Sequence, residues 1–195
     1  VNRVRVVLLD RDGVLVEDVP HNADPGRVRP APGAREALAL LRARGVRTGV
    51  ITHQPGVARG LLSQADLRRV DERIDGLLGP FDVWAVCPHD PDDGCHCHPP
   101  LPQLVLWAAG RVCTPPERIA VIGATGNTVE AASRAGAHGI LVPAPATRPQ
   151  ETAAAEHVAP DLLTAVRGVL TGPPTQHVLA DERAITAAFR SAGQP

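Results

Sequence analysis

Leu8-Leu9-Asp10-Arg11-Asp12-Gly13-Val14-Leu15 sets two carboxylates two residues apart, just beyond a short apolar run. The run from Val4 to Leu9 reads as a buried strand, and Gly13 lets the chain turn sharply after it. Asp10 then falls at the strand's carboxyl end and Asp12 in the turn. In open α/β sheets ligands bind at that edge. An Asp-Gly turn after a strand is also a common structural device, so the pair gains meaning only from what the rest of the chain sets beside it.

Working outward, residues 16–33 are rich in Pro, Gly and polar side chains and read as a long loop over the sheet edge. Residues 34–44 carry Ala37, Leu38, Leu40 and Leu41 on one face and Arg35, Arg42 and Arg44 on the other, with Gly45 as a stop, which predicts an amphipathic helix. Residues 46–52 return as a strand. Ser63 and Asp66 offer a capping box for a helix running to about Leu78. Residues 81–86 read as a third strand, 101–111 as a helix, 118–122 as a fourth strand, 128–135 as a helix ended by Gly136, and 139–142 as a fifth strand. This alternation predicts an α/β fold with a mostly parallel sheet, right-handed crossovers and helices on both faces. Beyond Pro143 Ala and Pro dominate, and residues 161–170 read as a last helix. Residues 1–171 are expected to form one domain, and 172–195 a loosely held tail with a candidate helix from Asp181.

Composition narrows the partners. The 195 residues are 44% hydrophobic but hold only Phe81, Trp84, Trp107 and Phe189 as aromatics. The core must therefore be aliphatic, and few rings are available on which bases could stack. A net charge of −1 with interspersed signs gives no basic stripe for a nucleic acid or an anionic membrane. The apolar run after Arg3 and Arg5 is too short for a signal-peptide core, and no run approaches membrane-spanning length. The expectation is a cytoplasmic monomer.

Three strand ends gather polar groups. Asp10 and Asp12 follow the first, Thr52-His53-Gln54-Pro55-Gly56 the second, and Gly123-Ala124-Thr125-Gly126-Asn127-Thr128 the fourth. Hydroxyls, exposed N–H groups and a helix N-terminus after Asn127 could bind phosphoryl oxygens there. A separate cluster, Cys87-Pro88-His89 followed by Cys95-His96-Cys97-His98, can close a tetrahedral zinc site with Cys87, His89, Cys95 and Cys97 as ligands. His96 and His98 remain alternative nitrogen donors. Four protein ligands leave no open position, so this metal would be structural.

The runs Leu9-Asp10-Arg11-Asp12-Gly13 and Thr52-His53-Gln54-Pro55-Gly56-Val57-Ala58-Arg59-Gly60, with the Cys87-to-Cys97 cluster, resemble the zinc-containing haloacid dehalogenase-type phosphatases of the heptose-1,7-bisphosphate and histidinol-phosphate branch. The resemblance covers residues 3–170. It implies a Rossmann-like three-layer fold without a large cap domain. It further implies Asp10 as the nucleophile of an aspartyl-phosphate, Asp12 as general acid and base, and Thr52, with His53 beside it, as phosphate-binding positions. Magnesium would be held by the Asp10 side chain and the Asp12 backbone carbonyl.

The departures from that pattern are equally specific. Pro99 stands where the family has a lysine, Ala124 and Thr128 stand where it has two aspartates, and His53 and Pro55 replace the residues after the threonine. His98 could carry partial positive charge and Asn127 could offer a neutral oxygen, but the countercharges of phosphoryl transfer are depleted. Two readings follow. One is a phosphatase whose ligand is a small phosphorylated metabolite such as a sugar phosphate and whose activity is weak or lost, and the other a catalytically silent binding or regulatory domain of the same fold, with a protein partner.

Overall fold

The computed structural model describes residues 4–171. The expected tail 172–195 lies outside them. Five strands, β1 (Val6–Asp10), β2 (Arg47–His53), β3 (Val83–Cys87), β4 (Ile119–Gly123) and β5 (His138–Leu141), form one sheet in the order β3-β2-β1-β4-β5. All four pairings are parallel. Helices α1 (Ala34–Ala43), α2 (Gln64–Leu78), α3 (Gln103–Arg111), α4 (Gly126–Ala135), α5 (Pro149–Ala154) and α6 (Leu162–Thr171) complete the fold.

Alternation along β1 shows how the layers are held. Val7 and Leu9 face the side covered by α1, α2 and α6, with Leu38, Leu41, Ile74 and Val166 around them. Val6 and Leu8 face the side covered by α3 and α4, against Val105, Ala108 and Ala131. A strand buried on both faces has no polar face to show, which is why residues 6–9 read as an unbroken apolar run. β1 is central, and β2 and β4 flank it. The chain leaves β1 toward β2 on one side and later fills the other side with β4, so the crevice between the ends of β1 and β4 is the sheet's topological switch point.

The capping box forms as the sequence predicts: Ser63 Oγ accepts the Asp66 N–H at 3.1 Å, and Asp66 Oδ2 accepts the Ser63 N–H at 2.9 Å. Two expectations need correction. α4 begins at Gly126, two residues before the predicted start at 128, because Thr125 serves as its N-cap and accepts the Thr128 N–H at 3.3 Å. A further helix, α5, occupies the segment after Pro143 that the sequence left without structure. Six residues are too few to show a helical period.

Candidate functional site

A cleft of about 440 Å³ opens where β1, β2 and β4 end, and Asp10, Asp12, Thr52, His53, Pro99, Ala124 and Thr128 all line it. The fold thus brings together every non-zinc position the sequence singled out. Gly13 makes the turn after β1 at φ +80°, and a Cβ there would stand 3.0 Å from Ala144 Cβ and 3.1 Å from Ala124 Cβ.

Asp10 sits on the cleft floor. Its Oδ2 accepts the Ala124 backbone N–H at 3.0 Å and the Thr128 hydroxyl at 2.9 Å. Gly123 makes this approach possible, since a Cβ on it would lie 2.6 Å from Thr128 Cγ2 and 3.1 Å from Asp10 Oδ2. Burial pushes the Asp10 carboxyl up to about 7 against the pull of those two donors, and the charge of Asp12 adds to the rise. No cation among the described residues pairs with it.

Asp12 is held from the other side. Gln54 Nε2 donates to its Oδ2 at 2.7 Å, and Arg11 Nη2 lies 3.0 Å from the same oxygen. Arg11 is only 2% exposed and reaches on to Asp71 of α2 at 2.9 Å. Its charge is divided between two carboxylates, leaving none for a ligand. Gln54 also donates to Thr52 Oγ1 at 2.9 Å, so the Thr52 hydroxyl keeps its own proton to offer. Sequence reading passed over Arg11 and Gln54. Both lie inside the motifs quoted for the aspartates and the threonine, and only the fold shows what they touch.

His53 makes a 2.9 Å hydrogen bond from Nε2 to the His89 carbonyl, and its ring centroid lies 6.0 Å from that of His98. Burial lowers its basicity and the neighbouring imidazole of His98 lowers it further. The cleft wall is thereby tied to the cysteine loop, but by an imidazole that resists protonation.

The corner beyond β4 has lost its charged oxygens. Ala124 is buried, and Thr147 Oγ1 donates to its carbonyl at 2.5 Å. Thr125 and Thr128 hydroxyls share a 3.1 Å contact. The expectation that the α4 N-terminus is open to an anion also needs correction. Glu151 of α5 reaches across, and its Oε1 accepts the Gly126 N–H at 3.1 Å. Magnesium requires near-octahedral hard oxygens. Here one Asp10 oxygen is engaged by two donors and methyl and hydroxyl groups stand where a further carboxylate would be needed. The residues present do not fit that ion.

The cysteine loop is different. Ligand atoms of Cys87, His89, Cys95 and Cys97 all lie within 4.8 Å of one another, the one such group among the described residues. The Sγ separations are 3.8 Å for Cys87–Cys95, 3.1 Å for Cys87–Cys97 and 3.7 Å for Cys95–Cys97. A tetrahedron with metal–sulfur bonds of about 2.3 Å has edges of about 3.8 Å. The cluster is compatible with zinc. His98 Nδ1 stands 3.2 Å from Cys95 Sγ, outside the four, and His96 is exposed. Burial opposes ionisation of Cys95, yet the His98 imidazole and nearby backbone N–H groups hold its thiol down to about 6. One thiolate is thus available to a metal at neutral pH.

Comparison with known proteins adds a lineage. A family model described as HAD-hydrolase-like matches residues 97–165. The D-glycero-beta-D-manno-heptose-1,7-bisphosphate 7-phosphatase of Bordetella bronchiseptica is 32% identical over 138 residues, covering 68% of this chain and 77% of that protein. The Pseudomonas putida protein of the same name is 32% identical over 144 residues, covering 71% and 82%. The crystal structure of D,D-heptose 1,7-bisphosphate phosphatase from B. bronchiseptica, complexed with magnesium and phosphate, superposes with a TM-score of 0.78 at 28% identity, covering 86% of this chain and 99% of that one.

Proposed function

The chain belongs to the haloacid dehalogenase-like hydrolases, in the branch of the heptose-1,7-bisphosphate 7-phosphatases, and from that premise we propose that its cleft binds a small phosphorylated sugar and turns it over weakly or not at all. The reacting phosphoryl group sits between Asp10, Asp12 and Thr52, with the Thr52 hydroxyl donating to a phosphoryl oxygen and His53 beside it. Asp10 attacks phosphorus to form an aspartyl-phosphate while Asp12 protonates the departing sugar oxygen. Asp12 then takes a proton from the water that opens the acyl phosphate.

The observation that carries the attenuation is the pair of donors on Asp10 Oδ2, the Ala124 N–H and the Thr128 hydroxyl. They hold the carboxylate in place but bring no full positive charge, and with Pro99 there is no ammonium group to offset a dianion. Phosphoryl transfer rests mainly on positioning and electrostatic stabilisation. Losing one such group commonly costs about 3–4 kcal/mol, so two losses reach roughly 10⁴-fold in rate. The second reading, a silent binding or regulatory domain, is favoured by the buried methyl group of Ala124, which stands in place of the family's aspartate.

At the cysteine loop we assign a structural zinc ion to Cys87, His89, Cys95 and Cys97. It would pin residues 87–98 beside the cleft. Residues 1–171 act as one unit in this account, as a monomer in a reducing, cytoplasmic setting that keeps the thiols free for metal.

Phosphate release from a panel of sugar phosphates, including a heptose bisphosphate and histidinol phosphate, tests the proposal. Slow release that disappears in Asp10→Asn supports the attenuated phosphatase. Ligand binding with no release supports the silent domain. Fast magnesium-dependent release would overturn the attenuation.

A further inference from the structure

Helix α2 is amphipathic, and its buried face is built from Leu67, Val70, Ile74 and Leu78. Asp71 lies one turn beyond Leu67, beside that face, with its side chain only 15% exposed. A carboxylate in such a place costs stability unless a partner meets it. The partner comes from the sheet. Arg11, on the turn after β1, donates from Nη1 to Asp71 Oδ1 at 2.9 Å, across 60 positions. Burial pushes the Asp71 carboxyl up, against the pull of that guanidinium.

The rest of the guanidinium is turned toward the cleft. Its Nε lies 3.2 and 3.1 Å from the two oxygens of Asp12, and Nη2 lies 3.0 Å from Oδ2. Nε and Nη2 form one edge of the planar group and Nη1 stands at the opposite corner, so a hold on Nη1 fixes the rotation of the edge that Asp12 meets. The chain has no lysine, and its 20 permanent cations are arginines. Two of them line the cleft, Arg11 and Arg148. Arg148 is exposed at the rim beside Glu151, which leaves Arg11 as the one buried cation among the described residues.

We propose that Asp71 is a positioning residue of the cleft that acts through Arg11: it turns the guanidinium edge toward Asp12 and takes up charge that the cleft would otherwise lend to a bound phosphate. This rests on the phosphosugar reading above and names the residue that sets the anion affinity of that site. One positive and two negative groups leave a net negative unit beneath the cleft, whereas Arg11 with Asp12 alone would be neutral. A phosphate feels that difference strongly, because the floor between them is buried and of low dielectric. Asp71 itself does not line the cleft. It lies on a helix outside the stretches that carry the family resemblance, and its effect passes only through the guanidinium.

The test is calorimetric titration of the full chain with inorganic phosphate, paired with heteronuclear NMR of the Arg11 Nε–H group. Asp71→Asn keeps an amide oxygen for Nη1 and removes the charge. It should bind phosphate on the order of three- to tenfold more tightly than the wild type, with the gain shrinking as salt rises. Asp71→Glu restores the charge and should return the affinity close to that of the wild type. Asp71→Ala removes the acceptor as well, and should displace the Arg11 Nε–H resonance more than Asp71→Asn does. A damaged fold does not tighten binding, so the gain separates this role from a merely structural one. If Asp71→Asn does not fold, Asp71→Ser reads the same loss of charge. Unchanged or weaker phosphate binding by a folded, uncharged variant would overturn the assignment, as would an Nε–H resonance that Asp71→Ala leaves in place. If neither the wild type nor any variant bound phosphate, the phosphosugar reading itself would fall and this inference with it. If the wild type bound it and the uncharged variants gained nothing, only the inference would fall.

Discussion

Replacing Asp10 by Asn should stabilise the protein, and by an amount that depends on pH. Asn keeps a carbonyl oxygen for the Ala124 N–H and the Thr128 hydroxyl but carries no charge into the cleft floor. In the folded wild type the Asp10 carboxyl titrates at about 7, against 3.8 for an unperturbed group. Over that interval the native state holds a proton that the unfolded chain has already released. The stabilisation this proton brings is complete below the unfolded value, falls as pH rises, and is gone above the folded value. The whole shift corresponds to about 4 kcal/mol, lowered to about 2–4 kcal/mol because the cleft mouth admits water. Urea unfolding of wild type and Asp10→Asn, compared at matched pH, reads it directly. Between about pH 5 and about pH 8 the stability advantage of the variant should grow by roughly 2–3 kcal/mol. An advantage that does not change with pH would refute the reasoning, because it would mean that Asp10 ionises as an exposed carboxylate does and that a countercharge reaches it. An advantage that vanishes on adding millimolar magnesium would refute it as well.

Two further outcomes follow from the same geometry. Elemental analysis of the purified chain should find one zinc, and a chelator should lower its melting temperature, because the binding free energy of a structural metal contributes to folding; a metal-free protein of unchanged stability would remove the assignment. Restoring charge with Pro99→Lys, Ala124→Asp and Thr128→Asp should raise phosphate release on the order of a hundredfold or more. A correctly folded variant without gain would mean that these positions do not face the reacting phosphate.

Much of this arrangement is legible in the chain because its signals are local. β1 and the turn at Gly13 follow from an apolar run and one glycine, the α2 capping box from Ser63 and Asp66, and the metal cluster from spacing within eleven positions. What the sequence hides lies in contacts between distant residues. Thr128 reads as a missing aspartate, yet its hydroxyl is a donor to Asp10 across 118 positions. Ala124 likewise reads as a loss, whereas its backbone N–H is the other donor to Asp10, across 114 positions. The α4 N-terminus looks like an open anion seat until α5, too short to announce itself, brings Glu151 onto it.

Magnesium affinity decides whether the cleft still takes a divalent ion. Titrating the full chain with magnesium by calorimetry, in the presence of inorganic phosphate, should give no saturable binding at millimolar concentrations, and Asp10→Asn should look the same. Saturable binding below a millimolar that Asp10→Asn abolishes would contradict the account, since it would show that the cleft still assembles the ion its replaced residues no longer fit.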